Sequence, residues 1–410
     1  MNIRSSFAVA TLVIALLCLA NVGALGEPLA DKPNVLVIAA DDMGYADLGC
    51  YGGEIRTPHL DALATKGILA TQFYVSPTCS PTRAMLLTGT DNHVAGLGNM
   101  AEWTGPKQKG KPGYEGHLND RVVTVATLLR GAGYHTYMAG KWHLGEEPDR
   151  WPSARGFERD LCVLDGAGSH WSDMQGLNPA HPKLSVTHNG KKIDELPDGY
   201  FSTKNFTDSI KANIEENRND GKPFFAYLAY QAPHGPLAVP DEWRDKYRSA
   251  YDGGYDELRT RRLARQKVLG LVEADTIGFP RLPEFPAWDK LTDEQRSKLA
   301  RKMELYASMV ENMDHHIGRL LKYLEGIGEL ENTLIVFFSD NGAAGEDIGE
   351  LIKKLAPQAL DWFGKAFDNR FENWGRRGSC VDYGPSWAQV SMVPFRQFKG
   401  FLAEGGIRAR

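Results

Sequence analysis

Three stretches of the chain are continuously apolar: residues 35–40, 223–230 and 333–339. Residues 134–139 form a fourth, more mixed run. Each is short and bounded by polar or turn residues, the pattern of a strand buried on both faces in a parallel sheet. Between them the apolar period changes to that of a helix. Thr57-Pro58 opens a helix to about Lys66, with Leu60, Leu63 and Ala64 on its inner face and Gly67 closing it. Residues 122–130 predict a second helix, ended by Gly131 and Gly133. Thr292-Asp293-Glu294-Gln295 is a capping box. It starts a long helix whose stripe runs through Met303, Leu305, Tyr306, Met309, Met313, Ile317 and Leu321 to Gly326 or Gly328. His315 and His316 on that helix read as core-edge or surface residues, not ligands. Residues 73–75 are extended, 98–116 and 148–205 read as loops, and 241–265 as a charged periphery. Residues 346–387 form an insertion whose aromatics pack it onto the body. Alternating strands and helices predict an α/β sandwich around a large mixed, mostly parallel sheet flanked by helices.

In open α/β sheets, ligands collect beyond the carboxyl ends of the strands. Chemistry-bearing residues recur there. Asp41 and Asp42 follow residues 35–40, Lys141 and His143 follow 134–139, His234 follows 223–230, and Asp340 and Asn341 follow 333–339. Each is unremarked alone, as a turn, a solvated lysine or a structural histidine. Adjacent buried carboxylates, however, need a neutralising cation. Three carboxylates and an amide oxygen form a hard oxygen shell suited to calcium or magnesium. Cys79 lies just ahead of a helix that Pro81 opens, and Arg83 is one turn on. A helix N-terminus with a planar guanidinium suits an oxyanion such as sulfate or phosphate. As a soft thiolate, Cys79 is a poor ligand for a hard cation.

Composition narrows the classes. The 410 residues carry a net charge of −5, with 42% hydrophobic and 24% charged residues. No long basic run points to nucleic acid. Gly131-x-Gly133 precedes a strand, so a dinucleotide loop is excluded. Arg4, the apolar residues 7–20 and Val22-Gly23-Ala24 make residues 1–24 a secretory signal, too short in its apolar part to favour a membrane span. A periplasmic or secreted protein without stable membrane association is expected. Cys18 leaves with that signal, and no C-x-x-C spacing occurs among Cys50, Cys79, Cys162 and Cys380.

The stretch from Cys79 to Gly89 resembles the sulfatase signature C-x-P-x-R-x-x-x-L-T-G at every fixed position. Gly133-Tyr134-x-Thr136 followed by Gly140-Lys141 looks like that family's second signature, with His143 in its expected place. Pro394-Phe395-Arg396, Phe398-Lys399-Gly400 and the segment from Glu404 to Arg408 resemble its last core motif. The resemblance runs from Pro33 to Arg408 and looks closest to bacterial calcium-dependent periplasmic arylsulfatases.

It implies an alkaline-phosphatase-like sandwich in residues 25–410, with the family's smaller C-terminal domain missing. It implies that Cys79 is converted to formylglycine by a formylglycine-generating or anaerobic maturation enzyme. One divalent cation, calcium or magnesium, would sit on Asp41, Asp42, residue 79, Asp340 and Asn341. Cys79, Arg83, Lys141, His143, His234 and Lys399 would form the catalytic set. Arg83 and Lys141 would hold the nucleophile and sulfate, and Asp340 would assist deprotonation. His234 or Lys399 would protonate the leaving alcohol, and His143 would take the later proton. The expected substrate is a small sulfate ester, and the expected protein a monomer. Two alternatives are a phosphonate monoester or phosphodiester hydrolase of the same superfamily, and an inactive truncated fragment.

Overall fold

The first strand, β1 (Asn34–Ala40), sends alternate side chains into two separate cores: Leu36, Ile38 and Ala40 into one, Val35, Val37 and Ala39 into the other. A strand can do this only with helices on both faces. The computed structural model describes residues 32–409, so the signal-peptide reading of residues 1–24 lies outside the described residues. In chain order the further strands are β2 (Phe73–Tyr74), β3 (His135–Lys141), β4 (Arg159–Val163), β5 (Gln175–Asn178), β6 (His181–Lys183), β7 (Val186–His188), β8 (Lys191–Ile193), β9 (Phe224–Ala229), β10 (Thr333–Ser339) and β11 (Arg408–Ala409). The main sheet runs β10-β1-β9-β3-β4-β7-β8. Its first five strands pair in parallel, and β7 and β8 continue it antiparallel. The sheet is therefore mixed and mostly parallel, as the alternating pattern predicts.

Helices α1 (Pro58–Lys66), α2 (Cys79–Thr88), α3 (Val125–Gly131), α4 (Ser202–Asn217), α5 (Gly254–Val268) and α6 (Asp293–Gly326) divide between the two faces. Ala84 and Leu87 of α2 and Ala126 of α3 share one core with Val37, Tyr227 and Met138. Leu60 of α1, Ile210 of α4 and the Met303–Leu324 stripe of α6 share the other with Leu36 and Leu228. The predicted capping box of α6 is present: Thr292 and Gln295 satisfy one another's backbone N–H. The second predicted helix starts three residues later than expected, at Val125, because the Thr124 side chain caps it.

The loop assignment of 148–205 and the peripheral reading of 241–265 both change. Residues 148–205 contain β4, which extends the parallel sheet beside β3, and the β7–β8 hairpin. The charged stretch 241–265 enters α5, whose Tyr255, Leu258, Arg262 and Gln266 are buried. Arg262 pairs there with Asp47 at 2.7 Å and Glu54 at 2.8 Å. Charge here marks a buried ion network and not a solvated face.

The insertion carries α7 (Ile348–Leu355) and α8 (Leu360–Ala366), with Phe363, Phe367 and Cys380 in a small core of their own. Trp374, Tyr383 and Trp387 join the main core, the last from α9 (Pro385–Ser391). The chain then returns through α10 (Glu404–Ile407) to pair β11 with β2. Among the described residues, Cys79, Cys162 and Cys380 form no disulfide. Among the described residues, no helix is long and apolar enough to cross a membrane.

Candidate active site

Four parallel strands end on one rim, and each delivers a side chain to it. Asp41 follows β1, and its backbone N–H donates to Ala232 O at 3.1 Å, which ties the rim to the turn after β9. Asp42 follows in the left-handed region, φ 65°, an unusual backbone position for a residue with a Cβ. Its N–H donates to Asp340 Oδ1 at 3.2 Å. Lys141 closes β3 behind Gly140. A Cβ on Gly140 would lie 1.8 Å from Ala229 O, and its φ is +121°, so only glycine allows β3 to run this close to β9. Cys79 is the first residue of α2 and is 1% exposed.

These elements bring most of the predicted residues into contact. Ligand atoms of Asp41, Asp42, Cys79 and Asp340 all lie within 4.8 Å of one another. Lys141 Nζ donates to both Asp41 oxygens, at 2.9 and 2.7 Å. Lys399 Nζ donates to Asp42 Oδ2 at 2.8 Å and lies 3.3 Å from His234 Nε2. The Lys399 loop is held there by its own N–H on Ala343 O and by Gly400 N–H on Pro77 O. His234 Nδ1 donates to Gly235 O at 2.6 Å. In the neutral ring Nε2 is then an acceptor facing the Lys399 ammonium.

Arg83 differs from its sequence-based reading. Its fork is turned to the carboxylates: Nε donates to Asp340 Oδ2 at 2.8 Å and Nη1 to Lys141 O at 2.9 Å, while Nη2 is ion-paired 2.6 Å from Asp340 Oδ2 and 3.4 Å from Asp41 without an aligned hydrogen bond. His143 is buried near Lys141 but its Nε2 turns to Glu102, at 3.1 and 3.2 Å from the two carboxylate oxygens.

The electrostatics follow from burial and opposed charge. Three carboxylates face three permanent cations, Arg83, Lys141 and Lys399, all in a dry interior. Burial alone would raise Asp41, but Lys141, His234, Arg83 and Lys399 hold it well below the ordinary carboxylate range. Burial pushes Asp340 up to about 6 against the pull of Arg83. Burial also raises the Cys79 thiol well above its ordinary value. An unmodified Cys79 is thus a protonated thiol, neither a strong nucleophile nor a hard ligand.

The donor set otherwise fits a hard divalent cation. Asp41, Asp42 and Asp340 offer oxygens, and the buried Asn341 Oδ1 has no hydrogen-bond partner while its Nδ2 donates to Asp42 Oδ1 at 2.6 Å. The misfit in the set is the sulfur at position 79, and an oxygen-bearing side chain there would remove it.

Residues outside the predicted set complete the rim. Ser339 Oγ accepts from Met43 N–H at 2.9 Å and fixes the turn after Asp42. His170 is buried, takes Ser202 Oγ on Nδ1 at 2.7 Å, and reaches His234 O through Nε2 at 3.4 Å. Burial lowers it to about 4, so it is a neutral ring bracing the His234 turn. Glu102 is the other addition. It lies in a short 3-10 turn, Ala101–Trp103, with no periodic pattern, and only its meeting with His143 marks it.

An α/β sandwich with buried carboxylates, cations and a helix N-terminus at the strand ends is built to receive a charged ligand. The family model for sulfatases matches residues 33–374. The chain is 47% identical to an uncharacterized sulfatase of Schizosaccharomyces pombe, over 92% of this chain and 69% of that protein. It is 42% identical to an arylsulfatase of Klebsiella aerogenes, over 92% of this chain and 79% of that one. Among solved structures it resembles Ps i-CgsB in complex with a neocarrahexaose, with a TM-score of 0.59 and 25% identity. That match covers 92% of this chain and 64% of the other, so the chain spans under two thirds of that protein. The chain belongs to the sulfatase family, a class of sulfuric ester hydrolases.

Proposed function

We propose that this protein hydrolyses a sulfate ester of the aryl type to an alcohol or phenol and inorganic sulfate, outside the cytoplasm. The observation that carries the reading is the buried convergence of Asp41, Asp42, Cys79 and Asp340 within 4.8 Å beside Lys141, Arg83 and Lys399. Formylglycine made from Cys79 would supply a hydrated aldehyde as the nucleophile. A divalent cation on Asp41, Asp42, Asp340 and Asn341, calcium in our reading, would supply charge to the sulfate oxygens and to residue 79.

The chain's own groups then divide the work. Arg83 and Lys141 clamp Asp340 and Asp41, holding the carboxylates in place as charge builds on the substrate. Together with Lys399, their positive charges balance the three carboxylates, so a bound divalent cation would leave the pocket net positive, matched to an anionic ester. Lys399 and His234 stand together at Asp42, and a proton held at Lys399 Nζ or His234 Nε2 can be delivered to the departing oxygen. His143 is a neutral ring, lowered by burial, and serves as a proton acceptor.

The test uses the full chain co-expressed with a formylglycine-generating enzyme. Mass spectrometry of the residue-79 peptide should show the aldehyde. Nitrophenyl sulfate should be turned over, chelator should abolish that turnover, and added calcium should restore it. Cys79→Ala should remove activity without changing the thermal midpoint by more than a few degrees. Dominant turnover of an aryl phosphodiester in a parallel assay would overturn the reading.

A further inference from the structure

Glu102 is not part of the constellation read from the motifs, but it meets His143, which is. His143 is buried and adopts a left-handed backbone conformation, φ 56°, that a residue with a Cβ rarely takes. Its Nε2 faces a carboxylate, which can only accept, so Nε2 must carry the proton. Its Nδ1 is buried and has no partner. Such a group is costly unless something else meets it. The fold also makes room for this orientation. A Cβ on Gly166 would stand 2.7 Å from both Cε1 and Nε2 of His143 and 3.1 Å from Glu102 Oε1. That position therefore has to lack a side chain for the ring and the carboxylate to meet. His143 lies two residues beyond Lys141, whose Nζ donates to Asp41, so the unpartnered Nδ1 stands at the same strand end as the carboxylates.

We infer that Glu102 is a positioning residue that fixes the Nε2–H tautomer of His143 and leaves the Nδ1 lone pair free to accept a proton in the active centre. The inference rests on the sulfatase reading for the reaction His143 serves, but the tautomer itself does not depend on it. Burial would raise Glu102, but the neighbouring His143 ring brings it down to about 2, so it is a carboxylate at working pH. When Nδ1 takes a proton, that carboxylate lies against the cation that forms. A glutamine cannot do both: its amide can donate to Nε2 and favour the opposite tautomer.

The experiment compares wild type, Glu102→Gln and Glu102→Asp, each matured at position 79. Glu102 is half exposed in a short 3-10 turn, so both variants should fold. We expect Glu102→Gln to lower kcat on nitrophenyl sulfate about 10- to 100-fold with KM within about twofold. Glu102→Asp should recover most of that loss. Nitrogen-15 spectra near neutral pH should show His143 protonated at Nε2 and bare at Nδ1 in wild type, and a mixed or reversed tautomer in Glu102→Gln. An unchanged kcat, a change confined to KM, or the same tautomer in Glu102→Gln would overturn the inference. A wild type inert toward sulfate esters would instead sink the proposed function, and the spectra would still decide the tautomer.

Discussion

Arg83 shows how far a single side chain can be committed inside a protein. It is fully buried, donates to Asp340 and the Lys141 carbonyl, and is ion-paired with Asp41. Removing one partner of a buried ion pair leaves the other uncompensated, which typically costs about 3–5 kcal/mol. Arg83→Ala should therefore lower denaturant stability by that order, and Arg83→Lys by less, because an ammonium keeps the charge although it cannot span all three acceptors. A loss under about 1 kcal/mol for Arg83→Ala would mean that the fork is ornamental to the fold. At this scale the motif was informative about which residues matter but not about their partners. Arg83 reads as an anion ligand from its spacing to Cys79, yet its guanidinium meets Asp340, 257 residues away. Glu102 carried no spacing or period that could distinguish it from other loop carboxylates.

Among the elements, α6 was legible and α4 and α5 were not. The α6 stripe is long and capped, so its period stands out. In α4, Phe206, Ile210 and Ile214 recur at four-residue steps and are buried, but polar residues between them blur the pattern. In α5 the buried face includes Arg262, which reads as surface until Asp47 and Glu54 are found against it. The buried histidine of α6 makes a pH prediction. Burial first, then Arg319 and His315, lower His316 to about 3, and its Nδ1 accepts from Arg319 at 2.8 Å. The unfolded chain takes up this proton near pH 6.5 and the folded chain does not until about pH 3. The unfolded state thus binds more protons in that window, and stability falls as pH drops through it. His316→Gln should flatten the slope of unfolding free energy against pH there by about 1.4 kcal/mol per pH unit. Denaturant melts at several pH values would check this; parallel slopes would show that His316 does not titrate between the states.

For the whole molecule, the outer side of β10 is the exposed margin of the sheet. Among the described residues β10 pairs only with β1, and Leu334 and Val336 are 56% and 38% exposed. Exposed apolar edge strands template pairing between molecules. Leu334→Lys should raise the concentration at which light scattering sets in, with unfolding free energy changed by no more than about 0.5 kcal/mol. Unchanged scattering would mean that self-association, if any, uses another face.

The chain's local patterns determined the layered α/β architecture, the strand ends that carry Asp41, Lys141, His234 and Asp340, and the importance of Cys79, because apolar runs and short-range spacing act between near neighbours. Which charges touch was decided by tertiary structure alone. Lys399 reaches Asp42 across 357 positions and Glu102 reaches His143 across 41. Coulomb attraction, desolvation and hydrogen bonding depend on distance through space, and only the folded backbone sets those distances.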